Sequence, residues 1–162
     1  MSKIIVRISD MAVSNLPGSS IVTYALGSCL CLVLYDKKLK LAGMLHSLLP
    51  EGKEKSLLPD FNALKYVDTA VPLLFKECYK LGATKQSLKV YAFGCATIRD
   101  AANVMNIGDR NFATLQKILW KNNVFLEQEF VGGSVSRTVE IQIDDGLILL
   151  KQGNSTITIE TG

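Results

Sequence analysis

The chain has 162 residues, of which 48% are hydrophobic and 20% charged, a composition typical of a globular protein rather than a disordered or fibrous one. A chain of this length buries enough surface to need no disulfide or structural metal, and no apolar run approaches the roughly 20 residues that cross a membrane. The net charge of +3, without a basic cluster, argues against nucleic-acid binding. We therefore expect residues 1–162 to form one domain that does not span a membrane.

The amino-terminal segment predicts a cytoplasmic protein. Arg7 and Asp10 stand where a secretory signal would keep its apolar run. In a reducing cytoplasm, thiols stay free unless they bind metal or do chemistry. We therefore expect no disulfide among the four cysteines, Cys29, Cys31, Cys78 and Cys95.

The first third of the chain predicts strands. Lys3–Ile8 and Ile21–Leu26 are short, β-branched and apolar, and a loop with Pro17-Gly18 separates them. The segments Leu30–Tyr35 and Lys40–Leu49 are typical of a hairpin, with its turn near Lys37-Lys38.

Two segments have the spacing of amphipathic helices. Apolar residues recur at threes and fours over Asp60–Leu81, with Asp60 as a candidate N-cap and Gly82 as a candidate terminator, although Pro72 interrupts the span. The second predicted helix is Asp109–Lys121.

Further strands are predicted in the second half of the chain, and Asp145-Gly146 is a strong hairpin signal between the last two. They are Val90–Phe93, Val124–Phe130, Ser136–Ile143 and Leu147–Lys151. Because strands outnumber helices and neighbouring strands form hairpins, we predict a mixed α/β (α+β) fold: antiparallel or mixed sheets with helices packed on them.

The chain has a single histidine, His46, so any imidazole chemistry has one possible carrier. A hairpin turn of two or four residues centred on Lys37-Lys38 would place Cys29 directly opposite His46. Opposed residues share a face with Cβ atoms about 5 Å apart, close enough for a thiol–imidazole contact. A different turn length would change this pairing.

A thiol beside an imidazole predicts nucleophilic acyl transfer, with His46 as the base for Cys29. The flexible Gly27 and the backbone amides from Gly27 through Ser28 to Cys29 are candidate oxyanion donors. Thr23, on the preceding strand, is a candidate to orient the far nitrogen of the imidazole.

Other interpretations of these residues stay open. Cys29 would ordinarily be a small buried hydrophobe, and a lone histidine is more often structural. Cys31 is either a second candidate nucleophile or a packing residue, while Cys78 and Cys95 suit core or loop positions. Zinc ligation by cysteines and His46 finds no support, because no C-x-x-C pair is present.

Several motifs together resemble the chemoreceptor glutamine deamidases known as CheD. Residues 23–29 read TYALGSC and residues 43–50 read GMLHSLLP, and this pairing at this spacing is specific. Later blocks resemble the family in the same order and extend the resemblance over most of the chain: residues 65–74 (KYVDTAVPLL), Phe93-Gly94, residues 106–111 (NIGDRN) and Gly132-Gly133 through Arg137.

The resemblance implies a layered sandwich of the kind found in toxin-type cysteine deamidases, with Cys29 as nucleophile, His46 as base and Thr23 as orienting hydroxyl. It implies hydrolysis of specific glutamine side chains to glutamate on methyl-accepting chemotaxis receptors, without metal or organic cofactor. Some members also remove receptor methyl esters. Members commonly bind CheC, a phosphatase of the response regulator, so a CheC-like partner is expected.

The sequence departs from the family pattern at Cys95 and at Ser136, where glycines are usual, and these changes affect loop shape rather than the three site residues. Two rival functions stay open: a chemotaxis adaptor that binds a CheC-like protein without catalysis, and a thiol redox protein using Cys29 and Cys31. The absence of C-x-x-C disfavours the redox function.

Overall fold

The fold is built from ten strands and two α-helices, in a computed structural model that describes residues 2–97 and 106–161. The strands are β1 Ser2–Ile5, β2 Asp10–Ser14, β3 Ser19–Leu26, β4 Leu30–Asp36, β5 Leu41–Ser47, β6 Lys89–Gly94, β7 Leu126–Val131, β8 Arg137–Gln142, β9 Ile148–Gln152 and β10 Ser155–Ile159. The helices are α1 Val67–Lys80 and α2 Ile107–Lys121, and short 3-10 turns cover Lys53–Lys55 and Ala63–Lys65.

The strands form two five-stranded sheets. Sheet A has the order β1-β3-β8-β9-β10 and sheet B the order β2-β5-β4-β6-β7. The pairs β1–β3 and β6–β7 are parallel, and the other pairs are antiparallel. The predicted layered sandwich of mixed and antiparallel sheets with helices is confirmed. In the part of the chain that the structure describes, no helix is long and apolar enough to span a membrane.

Strand β4 is the centre of the layers because both of its faces are buried. Leu30, Leu32 and Leu34 pack with the two helices, whereas alternate residues such as Cys31 and Val33 pack with sheet A. A strand covered on both faces requires a continuous apolar sequence, which explains the run from Leu30 to Tyr35.

The hairpin of β4 and β5 exists, but its predicted register is wrong. Asp36 pairs with Leu41 around a four-residue turn, and Cys31, not Cys29, lies opposite His46. The Asp36 carboxylate accepts a hydrogen bond of 3.0 Å from the amide of Leu39, which moves the turn centre one residue along the chain. The pairing shifts by two residues, so each side chain keeps its predicted face.

Helix α1 begins seven residues later than predicted, at Val67, and Asp60 is not its N-cap. The amides of Leu48 and Leu49 both donate to the carbonyl of Lys65, and the amide of Val67 donates to the carbonyl of Leu49. These bonds hold the backbone at Tyr66 extended, so a helix cannot start earlier. The end at Gly82, with φ 103°, matches the prediction.

The other predicted elements agree with the structure to within a few residues. Helix α2 starts two residues before its predicted start, and the hairpin at Asp145-Gly146 joins β8 to β9. The first predicted strand ends early, at Ile5, and the short strands β2 and β10 were not predicted. Both lie at sheet edges, where partly exposed residues give a weak apolar pattern.

The β8–β9 turn packs so closely against sheet B that Gly146 cannot carry a side chain. Its φ is 72°, and a Cβ would collide with the hydroxyl oxygen of Thr161 and with the ring of Tyr35, whose own hydroxyl donates to the carbonyl of Ile143. We expect Gly146→Ala to lower the free energy of unfolding by about 3 kcal/mol, from backbone strain plus overpacking. Urea unfolding measures this.

Gly153→Ala is the matched control, because Gly153 also has a positive φ, of 57°, but its nearest neighbouring atom would lie 3.7 Å away. That variant should lose only the strain, about 1 kcal/mol. Equal losses in the two variants would contradict the packing of this turn on Tyr35.

Candidate active site

Two buried polar side chains meet between the sheets. Thr23 lies on β3 of sheet A and His46 on β5 of sheet B, and the Thr23 Oγ1 is 2.7 Å from the His46 Nδ1. The Thr23 hydroxyl also donates to the carbonyl of Val6, at 2.7 Å. The predicted contact between Thr23 and the imidazole is therefore present in the structure.

This pair of bonds fixes where the imidazole carries its proton. A hydroxyl has one hydrogen, and a carbonyl can only accept, so Thr23 donates its single hydrogen to the Val6 carbonyl. Thr23 must then accept from His46, which places the ring proton on Nδ1 and the lone pair on Nε2.

The Nε2 atom of His46 is buried and has no hydrogen-bond partner among the described residues. Burial lowers the pKa of His46 from 6.5 to about 4, because desolvation penalises the charged ring. At neutral pH the ring is therefore neutral, with a free basic nitrogen.

Cys29 lies in the turn that carries the chain from sheet A to sheet B, between the end of β3 and the start of β4. Its side chain is 6% exposed and packs in the core between the sheets, with Leu26 and Cys31 among its cluster. Burial raises the pKa of the Cys29 thiol to about 11, partly offset by its own backbone N–H. The thiol is therefore protonated at neutral pH.

The turn of residues 27–29 is held by its carbonyl groups. The Gly27 carbonyl accepts from the amide of Ala96 at 3.0 Å, and the Cys29 carbonyl accepts from the amide of Cys95 at 2.8 Å. The Ser28 carbonyl accepts from the side chain of Asn111 at 2.9 Å. All three carbonyls are thus fixed by the segment after β6 or by α2.

A bulge leads into this turn. The β3–β8 register shifts between Thr23 and Leu26, and Ala25 has a φ of 54°. A left-handed conformation at a residue with a Cβ costs about 1–2 kcal/mol. Backbone strain of this kind is typical of functional sites, and here it lies between Thr23 and Cys29.

Cys29 is not the residue directly opposite His46, as the predicted hairpin had it. His46 faces Cys31, and Cys29 lies just before β4, two residues from Cys31. In a regular antiparallel pair that offset corresponds to a diagonal neighbour about 7–8 Å away, with the Cβ atoms somewhat closer. Cys31 itself is fully buried between His46 and Phe93 on the neighbouring strands.

Two further buried polar residues had no role in the sequence-based prediction: Asn111 bonds to the turn itself, and Arg137 bonds to the end of β6 beside it. Asn111 is fully buried on the stripe of α2 that also buries Leu115 and Leu119, so a polar residue at a core position was the available signal. Arg137 donates to the carbonyls of Gly94 and Gly132, at 3.2 and 2.9 Å. No sequence pattern indicated those two acceptors.

The described residues contain no group of three or more His, Cys, Asp or Glu side chains that could hold a metal ion. All four cysteines are free thiols. The site as described thus contains a protonated thiol at Cys29 and a neutral imidazole at His46, the two kinds of group that nucleophilic acyl transfer uses.

Comparisons with known proteins agree on one family. The family described as CheD chemotactic sensory transduction matches residues 48–152. A probable chemoreceptor glutamine deamidase CheD 1 of Syntrophus aciditrophicus is 41% identical over 97% of this chain and 98% of its own length. A probable chemoreceptor glutamine deamidase CheD of Solibacter usitatus is 39% identical, over 94% of this chain and 90% of its own length.

A relative with the same printed name from Pyrococcus horikoshii is 36% identical, over 99% of this chain and 98% of its own length. Among solved structures, a hypothetical protein YfiH of Bacillus licheniformis has a TM-score of 0.46 at 11% identity, over 75% of this chain and 49% of its own. That likeness is too distant to bear on function.

Because the imidazole of His46 is buried and neutral, we expect this residue to make the folded protein less stable in acid. Its pKa is about 4 in the folded protein and 6.5 when exposed, so the unfolded chain binds the proton first as the pH falls. The contribution of the neutral imidazole to the free energy of unfolding should be complete above pH 6.5 and should be lost as the pH falls toward 4. Its size is about 3 kcal/mol, since each pKa unit corresponds to about 1.36 kcal/mol. Urea unfolding across this range measures it.

His46→Gln is the comparison, because glutamine binds no proton in this range while the carboxylates titrate alike in both proteins. The free energy of unfolding should therefore fall more steeply with acid in the wild type. Parallel pH dependences would contradict a lowered His46 pKa.

Proposed function

Because this chain belongs to the CheD family, we propose that it hydrolyses specific glutamine side chains of chemoreceptors to glutamate. The relatives carry that activity in their printed names. The observation that carries the proposal is the Thr23–His46 hydrogen bond, which leaves the basic Nε2 without a partner among the described residues. Met44, two residues before His46 on β5, packs in the same hydrophobic cluster as Cys29.

The proposed reaction starts from a neutral thiol and a neutral imidazole. Cys29 Sγ attacks the amide carbon while its proton passes to His46 Nε2, so no stable ion pair has to form in the free enzyme. The oxyanion would be held by backbone amides of Gly27, Ser28 and Cys29, whose carbonyls are already fixed by other donors.

Collapse of this intermediate breaks the carbon–nitrogen bond, and protonated His46 gives its proton to the departing ammonia. A thioester on Cys29 remains. The neutral imidazole then takes a proton from water as the water oxygen attacks the thioester carbon. The carbon–sulfur bond breaks, protonated His46 returns the proton to Cys29 Sγ, and glutamate leaves. Each step uses groups of this chain and water, so we expect no metal or organic cofactor.

Thioester chemistry of this kind also accepts a methyl ester, with methanol leaving in place of ammonia. Receptor methylesterase activity is therefore part of the proposal. We place the reaction in the cytoplasm, on the cytoplasmic domains of receptors, which agrees with four cysteines that are all free.

The first test compares Cys29 with Cys31, the cysteine that faces His46 across the β4–β5 pair. A receptor cytoplasmic fragment is incubated with wild type, Cys29→Ala or Cys31→Ala, and its glutamines are followed by peptide mass spectrometry. Cys29→Ala should lose at least about 10³-fold in rate, because attack requires that sulfur. Cys31→Ala should keep most of the activity, since Cys31 lies within β4 and outside the turn of residues 27–29 whose amides would hold the oxyanion.

Equal loss in both variants would contradict Cys29 as nucleophile. Unchanged activity in Cys29→Ala would contradict it as well, and a wild type that leaves every glutamine of the fragment unchanged would favour the adaptor function, because a non-catalytic protein has no turnover.

The second test removes the hydroxyl that orients His46. Thr23→Val keeps the shape but leaves Nδ1–H and the Val6 carbonyl without their shared partner, so the ring can take the other tautomer. We expect kcat to fall about 100-fold, the size of a weakened general base. Thr23→Ser keeps the hydroxyl and should stay near wild type; equal activities of the two variants would contradict the role.

We also propose that a CheC-like response-regulator phosphatase binds this chain, as the family motifs imply. Gel filtration of the two proteins, separately and mixed at roughly micromolar concentration, should show an earlier-eluting complex in the mixture. Separate elution at that concentration would contradict the partner and leave the proposed catalysis unaffected.

A further inference from the structure

Helix α2 is hydrogen-bonded to the site through the side chain of Asn111. Asn111 donates from its side-chain Nδ2 to the carbonyl of Ser28 at 2.9 Å and to the carbonyl of Leu48 at 3.1 Å. Ser28 directly precedes Cys29, and Leu48 follows His46 by two residues. One amide group therefore joins the backbone beside the nucleophile to the backbone beside the base.

We propose that Asn111 is a positioning residue that sets the separation between Cys29 and His46. The inference rests on the proposed function of those two residues. The Asn111 amide has two hydrogens, enough for one on each carbonyl, so the two segments cannot move apart without breaking a hydrogen bond.

The identity of the acceptors explains why this position carries an amide. Two carbonyl oxygens face the side chain, so it must present two hydrogens, which a leucine or an ionised aspartate cannot do. The Asn111 Oδ1 is buried without a partner among the described residues, a cost that an apolar residue would avoid. The need for two N–H donors, rather than the need to fill space in the core, therefore explains why position 111 is an asparagine.

The approach of α2 to the site depends on Gly108, one turn before Asn111. A Cβ at Gly108 would lie 2.5 Å from the carbonyl oxygen of Ala96 and 2.6 Å from that of Cys95. These are the residues whose amides hold the carbonyls of Gly27 and Cys29. The start of α2 thus packs directly on the segment that is hydrogen-bonded to the turn of residues 27–29, and Asn111 links it to Leu48, just after the strand of His46.

The test separates positioning from simple stability. Asn111→Leu keeps the volume while removing both donors, and Asn111→Ala is the second variant if leucine disturbs the fold. Leu115→Ala removes packing from the same helix stripe, and Asn122→Ala removes an exposed amide that donates to the carbonyl of Ile118. All are assayed on the receptor fragment well below their unfolding midpoints.

We expect Asn111→Leu to lower kcat about 100-fold with KM within about twofold, because small displacements of reacting groups cost that much. Leu115→Ala and Asn122→Ala should keep kcat within about threefold of wild type, a range that distant core or surface changes allow. A kcat for Asn111→Leu as high as that of Leu115→Ala would overturn the proposal.

A second measurement needs no substrate. Alkylation of Cys29 by iodoacetamide, followed at the peptide level, is compared in wild type, Asn111→Leu, His46→Gln and the double variant. If Asn111 acts by placing Cys29 against His46, each single change slows alkylation and the double variant is no slower than His46→Gln. A double variant that is slower than His46→Gln by the same factor that Asn111→Leu alone produces would overturn the positioning role.

The two readouts also separate this inference from the proposed function. If the wild type leaves the receptor fragment unchanged but the double variant is alkylated no more slowly than His46→Gln, the deamidase function is rejected and the positioning role is supported. If the wild type deamidates the fragment but the effects of the two single changes on alkylation multiply in the double variant, the function is supported and the positioning role is rejected.

Discussion

The candidate site depends on a chain of two hydrogen bonds from the Val6 carbonyl through the Thr23 hydroxyl to the His46 Nδ1. This chain crosses from sheet A to sheet B in the middle of the protein. Because the Thr23 hydroxyl has a single hydrogen, the direction of each bond is fixed, and so is the tautomer of the ring. Burial then keeps the imidazole neutral, so that in the proposed reaction its Nε2 is available to accept a proton.

The crossover between the sheets explains why the thiol is placed here. Cys29 lies where the chain leaves β3 of sheet A and enters β4 of sheet B, and His46 projects from sheet B toward sheet A. The first group is set by the turn and by α2, and the second by the Thr23 hydroxyl. Since different elements hold the two groups, their separation depends on how the layers pack, which gives Asn111 its importance.

Much of this site could be predicted from the sequence. The alternation of side chains along β4 and β5 predicts Cys29 and His46 on the same face. Because the observed register differs from the predicted one by two residues, the faces are unchanged. The register itself depends on a bond from Leu39 to Asp36, which apolar patterns do not reveal. The role of Asn111 could not be predicted either, because its partner Ser28 lies 83 residues away in the sequence.

The most direct test of this account is nitrogen-15 NMR of the imidazole, which is unambiguous because His46 is the only histidine. We predict that, in the folded protein at neutral pH, Nδ1 carries the proton and Nε2 has the shift of an unprotonated nitrogen. The ring should take up a second proton only as the pH falls to about 4. A proton on Nε2, or a charged ring at neutral pH, would contradict the account.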